Sequence, residues 1–514
     1  MTAESNVKEG LEEGLQEGLK ESGLKASLSD RINPIVIKEL RQAVQSRFVI
    51  AALMTLLSIQ IVAIGIYLLA SGGSLLSFDA GRQVFLMLFA ILQVVGMLFV
   101  PLYTAVRMAA ERSDTNVDLL FITTIKPRSV IAGKMLAAVM LTVLIYSACM
   151  PFMAFTYFLR GIDLPSIFLS LAFGFAVVIA CAQAAVFVAL IPVNRAFKVI
   201  FGLIALIIFG IAYFATMASV SSVITRGIVT RLSWEPAIIL GVVIAFLIGL
   251  FFVMSVALIM PIASNRALPV RLFLTAAWLL MGVAALTNSL IEKQSPLVVI
   301  WLIIFEIVFA LAIFVAVSER DQPGRRVLRS VPQSPGGRAL SFFFFSGAAS
   351  GLAWATVMIA LTLGVAWAWV ELFPSHNSVG NLLNSAKWTG GMCLYFFCYA
   401  LTGALLRRNL LNNLGTELTW LVGAILLGVG SIAPFLIGYI VFFNDQWWSD
   451  DLGAWFVGNP FAWGNKGHRV LYASVAGVWA ALVAAMNLPW FLERVKSFEP
   501  PPRAVTSESP SATD

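Results

Sequence analysis

Apolar runs of about 20 residues recur along this chain from residue 48 to residue 491, and a helix of that length is what crosses the hydrocarbon core of a bilayer. Inside hydrocarbon every backbone N–H and C=O must be satisfied within the segment, so a run of this kind folds as a helix. The spans read as 48–70, 84–106, 134–158, 166–192, 198–218, 236–262, 271–290, 297–318, 345–372, 388–407, 418–443 and 470–491. A transmembrane barrel would need alternating strands of about 10 residues, and none is visible. Charged residues make up 12% of the chain, against about 25% in a water-soluble domain, so no polar surface is available for a soluble fold. The expected fold class is all-α: a polytopic bundle of about twelve spans.

Lys and Arg placement sets the orientation. With the N-terminus in the cytoplasm, 26 of the 34 Lys and Arg fall in the tails and loops of one side and 8 on the other. Both termini are therefore expected in the cytoplasm, and the protein is expected in the plasma (inner) membrane. The net charge of +7 reports topology and is no sign of nucleic-acid binding. The acidic, Gly-rich first 30 residues do not read as a signal peptide. In that tail Leu11, Leu15 and Leu19 lie four apart, as on a helix face touching a partner, while Gly10, Gly14 and Gly18 favour a solvated tail. The C-terminal "EPPPRAVTSESPSATD" has the composition of a disordered tail. The expected organisation is a tail over 1–30, a six-span bundle over 31–265 and two further spans over 266–318. A basic linker over 319–344 follows, then a four-span bundle over 345–492 and a tail over 493–514. The linker "RDQPGRRVLRSVPQSPGGR" is read as joining two bundles and touching anionic lipid.

Two polar segments stand out. In "INPIVIKELRQAVQSR", residues 32–47, Asn33 caps a helix and Pro34 fits its first turn. Val36, Leu40, Ala43 and Val44 share one face, and Lys38, Glu39 and Arg41 lie on the rest. This is too short and charged to span, and is expected to lie flat on the membrane surface. In "ERSDTNVDLLFITTIKPRSVIAGK", residues 111–134, Asp114 or Thr115 can cap a short helix over 116–124. Val117, Leu120, Phe121 and Thr124 form one face, and Pro127 breaks it before a second helix near Ser129. A plain turn needs about 4–6 residues. This longer one carries apolar side chains with no membrane to enter, which suggests a docking surface.

Together these segments resemble the permease subunit of type-2 ABC transporters, the exporter-like class. That family opens on an Asn-Pro…Lys-Glu-Leu-Arg interfacial helix. Between its second and third spans it carries a motif of Glu-Arg, Gly-Thr, an acidic residue, Leu-Leu, Thr-Pro and a later Lys. Glu111, Arg112, Asp118, Leu119, Leu120, Thr123, Thr124 and Lys134 match it. Thr115-Asn116 stands where Gly-Thr is usual, and Ile125 follows Thr124, with Pro127 displaced. The resemblance covers residues 32–262 best. It implies that 116–124 is a cytoplasmic coupling helix docking on a separate ATPase subunit, with Glu111, Arg112, Asp118, Leu120, Phe121, Thr123, Thr124, Lys126 and Arg128 at the contact. It implies ATP and Mg on that partner and none on this chain, membrane lipid around it, and pairing with itself or a second permease.

The chain has no P-loop of its own: Gly133-Lys134 is followed by Met135 and lacks the first glycine of the pattern. No metal-binding or nucleophile constellation is visible, and the chain is not expected to be an enzyme. Gln60, Gln93, Gln183 and Glu306 fall near mid-span as a candidate polar pathway. The glutamines also suit helix–helix hydrogen bonding. Glu306 could serve a substrate or a proton, or bond between helices as a neutral acid. This leaves two other functions open, a secondary transporter driven by an ion gradient through Glu306, and a non-transporting scaffold. Cys149, Cys181, Cys393 and Cys398 read as small apolar packing residues, and His376 and His468 as surface residues. Gly347 and Gly351 form a G-x-x-x-G that allows close packing. The Trp-rich 444–463 segment is expected to lie on the outer surface. Single cysteines introduced in 111–128 and in 444–463 should label from opposite sides of sealed cells; same-side labelling contradicts the twelve-span topology.

Overall fold

The computed structural model describes residues 41–42, 45–70, 79–113, 126–159, 161–226, 235–261, 263–321, 324–374, 379–441, 455–464 and 467–499. Asn33, Pro34, Lys38 and Glu39 lie outside these, as do Asp118, Leu120, Phe121, Thr123 and Thr124, residues 1–30 and residues 500–514. The side chains of Glu111 and Arg112 do too. Residues 493–497, expected in the C-terminal tail, instead extend the last helix. Arg41 is helical and exposed.

The chain is all-α among the described residues, with twelve helices long and apolar enough to cross a membrane. It divides into two compact units, Met1–Met260 and Pro261–Asp514. The first holds α1 (Arg47–Ala70), α2 (Ala80–Ser113), α3 (Pro127–Phe158), α4 (Leu164–Leu190), α5 (Arg195–Arg226) and α6 (Glu235–Ile259). The second holds α7 (Ala267–Glu292), α8 (Pro296–Ala316), the short α9 (Arg325–Arg329) and α10 (Pro335–Phe344), then α11 (Ala348–Leu372), α12 (Val379–Asn409), α13 (Thr419–Val441) and α14 (Arg469–Ser497). Thus α7 and α8 share a unit with the last four spans, and 319–344 lies inside that unit.

Local chemistry places the helix ends. Asp163 caps α4: its carboxylate accepts from Ser166 N at 3.2 Å and from Ser166 Oγ at 2.6 Å. Pro127 is the first residue of α3, where its fixed φ and missing N–H cost nothing; the helix expected before it, over 116–124, lies outside the described residues. Lys293, left-handed at φ 52°, turns the chain between α7 and α8. Pro101 lies inside α2. Thr104 Oγ1, just beyond it, donates to the carbonyls of Val100 and Pro101, each at 3.0 Å.

In the first unit α2 and α4 are the central pair, with α3 against both and α1, α5 and α6 outside. Phe85, Phe89 and Leu92 of α2, Ile145 and Met153 of α3, and Val178 and Ala182 of α4 form its core. The outer helices turn apolar side chains outward: Ile207 is 64% and Phe214 72% exposed on α5. In water such a face would be costly; against lipid tails it is the ordinary state.

In the second unit α8 packs on α11 and α12, and α12 on α13 and α14. Gly403 and Gly423 bring α12 and α13 together: a Cβ on Gly403 would lie 2.8 Å from Gly423 N. The expected outer-surface Trp segment is partly drawn in. Trp463 is buried against Gly391, where an added Cβ would fall 2.2 Å from the indole, and Tyr399 Oη donates to Gly458 O at 2.7 Å. Trp447 and Trp448 lie outside the described residues.

A buried cation fastens one end of this unit. Arg271 of α7 is 3% exposed. Its Nη2 meets Glu319 Oε1 at 2.6 Å, and its Nη1 donates to Phe345 O at 2.5 Å, Ser350 Oγ at 3.0 Å and Phe343 O at 3.1 Å. Glu319 Oε2 accepts from Gly347 N at 2.6 Å. Of the two glycines of the G-x-x-x-G, Gly351 is the close approach: its Cβ would lie 2.6 Å from Arg271 Nη2 and 2.8 Å from Ala316 Cβ. Removing one member of a buried ion pair costs about 3–5 kcal/mol; with Glu319 partly exposed, Arg271→Met should cost about 3 kcal/mol, the lower end of that range. Glu319→Gln should cost a similar amount, since one amide oxygen cannot serve both Gly347 and Arg271 and the buried guanidinium loses its counter-charge. Melting temperatures in mild detergent measure both; an unchanged Arg271→Met would contradict the assignment.

Candidate functional site

The sequence offers polar side chains where lipid-spanning helices ordinarily have none, and the structure sorts them into three places. Gln60 on α1 and Gln93 on α2 are fully buried in one cluster of the first unit. Gln93 Nε2 donates to Tyr146 Oη of α3 at 2.9 Å. Cys149, one turn further along α3, is buried beside Gln60. Neither amide atom of Gln60 has a partner of good hydrogen-bond geometry among the described residues, and Gln93 Oε1 has none either. Gln93 lies directly on the backbone of α4 at Gly174, where an added Cβ would fall 1.7 Å from its Nε2. Four helices therefore meet at Gln60, Cys149, Tyr146, Gln93 and Gly174. Ser170, one turn before Gly174, is buried, its Oγ without a partner among the described residues.

Gln183 belongs elsewhere. It sits nine residues beyond Gly174, about 13 Å along α4 at a rise of 1.5 Å per residue. Its Nε2 donates to Ser255 Oγ of α6 at 3.2 Å, and Ser255 Oγ donates to Phe251 O at 2.6 Å. That is an inter-helix tie between α4 and α6, with Gln183 Oε1 left over.

Glu306 lies in the second unit, fully buried on α8. Cys393 of α12 donates its Sγ–H to Glu306 Oε2 at 2.9 Å, and Oε1 has no partner among the described residues. Phe305 and Phe309, its neighbours on α8, continue an aromatic row to Trp354 of α11, with Phe309 and Trp354 edge to face at 5.5 Å. The carboxyl is thus fully buried with one thiol as its hydrogen-bond partner among the described residues.

Of the docking residues, Lys126 and Arg128 are exposed at the start of α3. Lys134, which matches the resemblance motif, is buried two turns into the same helix. Sequence reasoning missed Tyr146, and read Cys149 and Cys393 as packing residues, although both thiols lie against polar groups. The i, i+3 spacing of Tyr146 and Cys149 was the available signal, since it puts both on one helix face. Chemically, the Gln60–Gln93 cluster presents amide and hydroxyl groups that can bind a polar guest or tie helices; neither it nor Glu306 forms a metal-ligand cluster, and no group of His, Cys, Asp and Glu suited to a metal occurs among the described residues. No family model, curated protein or solved structure matches the chain.

Gly174→Ala should force Gln93 off α4 and cost about 1–3 kcal/mol, as overpacking does. Tyr146→Phe, which removes one inter-helix hydrogen bond, should cost no more than about 1.7 kcal/mol. Adding Gln93→Ala to Gly174→Ala should recover much of the loss. Detergent melting of these variants and of Gln93→Ala alone checks this, and strict additivity of Gly174→Ala and Gln93→Ala would contradict the contact.

Proposed function

We propose that this multi-pass membrane protein is the transmembrane subunit of an ATP-driven, exporter-type ABC transporter. A separate ATPase subunit supplies ATP and Mg, and this chain moves a substrate across or out of the plasma (inner) membrane, with both termini in the cytoplasm. The sequence support is the motif over 111–134. The structural observation that carries the reading is the length of the two helices that flank it. α2 has 34 residues and α3 has 32; at 1.5 Å per residue these are about 51 and 48 Å, against about 30 Å of hydrocarbon. Both exceed that thickness, and most of their excess over the apolar runs 84–106 and 134–158 lies at the ends next to residues 114–126, which supports a segment set outside the hydrocarbon.

The same two helices belong to the core. α2 packs on α4 along its length, and α3 on both. Closure of an ATPase pair against 116–124 would push on two stiff rods that carry Gln93, Tyr146 and Cys149 near their middles. The displacement would reach α4 through the Gln93–Gly174 contact and α1 through Gln60. Packed helices move as rigid bodies, so a push at the segment becomes a shift of the polar cluster.

A second reading keeps Glu306 as its motive group, favoured by a carboxyl buried without a cation partner among the described residues. In that case transport would depend on an ion gradient and fail in Glu306→Gln.

Burying an apolar side chain at a contact is worth about 1.5–3 kcal/mol, so Phe121→Ala should weaken ATPase binding about tenfold or more. Lys126→Ala, exposed and solvated, should do little. The assay is association and stimulated ATP hydrolysis in membranes at matched protein level. Phe121→Asp with both intact would remove the reading's main support.

A further inference from the structure

The two units repeat one packing plan. In the first, the second helix packs on the third, fourth and fifth, the fourth on the third, fifth and sixth, the first on the second, and the third on the sixth. Counting α7, α8, α11, α12, α13 and α14 as first to sixth, every one of those pairings recurs in the second unit. The first-to-third contact of α1 and α3 has its counterpart too: Trp278 Nε1 of α7 donates to Thr362 of α11 at 2.9 Å, and Trp354 Nε1 of α11 to Thr275 of α7 at 3.2 Å. The fifth and sixth helices, though consecutive, are not principal neighbours in either unit. Burial follows the same order. The second and fourth helices are the most enclosed in the first unit, at 56% each; in the second unit the fourth leads at 67%, with the second and third at 50% each, and the fifth is the least enclosed in both, at 6% and 11%. Each second helix also turns a buried polar side chain to the fourth: Gln93 onto Gly174, Glu306 onto Cys393.

The segment between second and third helices is 114–126 in the first unit and 317–347 in the second, and both fall on the Lys/Arg-rich side of the sequence topology. The second is folded and fastened. Glu319 is held by Arg271, Asp321 by Arg407 at 3.5 Å, and Arg338 by Glu499 at 3.0 Å. Val327 and Val331 are buried, whereas Arg325, Arg326 and Arg329 of α9 are exposed. We infer that the second unit is an architectural repeat of the first and that the arginine face of α9 is its docking surface for a second copy of the ATPase, on an acidic patch of that partner.

This rests on the reading given under Proposed function and adds a stoichiometry to it: one membrane chain carries two ATPase chains. An arginine face without an apolar contact of its own selects an anionic surface. Val327 and Val331 are buried, and the Arg271–Glu319 pair ties the start of the segment that carries α9 to α7, so that a load on the segment reaches that helix.

The test is the mass of the full-length chain purified in mild detergent with its co-expressed ATPase, identified by peptide sequencing. One membrane chain with two ATPase chains is expected. Arg325→Glu/Arg326→Glu/Arg329→Glu should leave one, Phe121→Asp should leave one, and the combination none, with melting temperature unchanged in the arginine variant because those side chains are exposed. Two ATPase chains on the arginine variant, or two membrane chains around two ATPase chains, overturn the inference while leaving the proposed function intact. If the variant keeps both ATPase chains but loses binding to phosphatidylserine vesicles, the arginines serve lipid, and the inference is likewise overturned. A wild-type chain that carries no ATPase defeats the proposed function itself, and the inference with it.

Discussion

Each unit depends on the close seating of its second helix on its fourth. In lipid there is no hydrophobic drive to bring two apolar helices together, because the tails are as apolar as the side chains; association comes from van der Waals packing and from inter-helix hydrogen bonds. Small residues and polar contacts therefore decide where helices touch. Gly174 gives α4 a bare stretch of backbone on which Gln93 rests, and Tyr146 takes the amide that would otherwise be stranded. In the second unit Cys393 is small enough to admit α8 and still donates to the Glu306 carboxyl. The remaining helices are arranged around these pairs, and their outward faces need only be apolar.

This explains why polar groups lie at the centre of a chain so poor in them. A buried glutamine or glutamate is costly unless a neighbour satisfies it. Gln183 is satisfied on one side, by Ser255. Gln60, Gln93, Gln183 and Glu306 each keep an atom without a partner among the described residues. Those leftovers are the places where a guest or a changed helix packing would be felt. Arg271 does the converse work at the end of its unit, where a single guanidinium gathers two backbone carbonyls, a hydroxyl and a carboxylate.

Much of the fold was legible in the sequence, because apolar length is a direct demand of the bilayer. All twelve spans were placed, including 198–218 and 271–290, the ones with the least punctuation. The ends were not. α2 and α3 begin or end several residues outside 84–106 and 134–158, since a helix that leaves the hydrocarbon turns polar without ceasing to be a helix. Arg271 read as a topology charge, and nothing in its neighbours announced burial; its partners come from residues 319–350. The Gln60–Gln93 pairing joins helices through Tyr146 and Cys149, which hydropathy counts as apolar. The repeat of packing was hidden for a related reason: it conserves which helices touch, while Gln93–Gly174 and Glu306–Cys393 have no residue in common.

The central claim is that force from an ATPase enters through residues 116–124. Its most direct test is a photo-crosslinking amino acid at position 121 in the full-length chain, activated in membranes that contain the candidate ATPase. The account predicts a crosslinked product of the two chains whose yield changes when ATP is added. Crosslinks to lipid or to this chain alone, with no ATPase adduct in either condition, would contradict it.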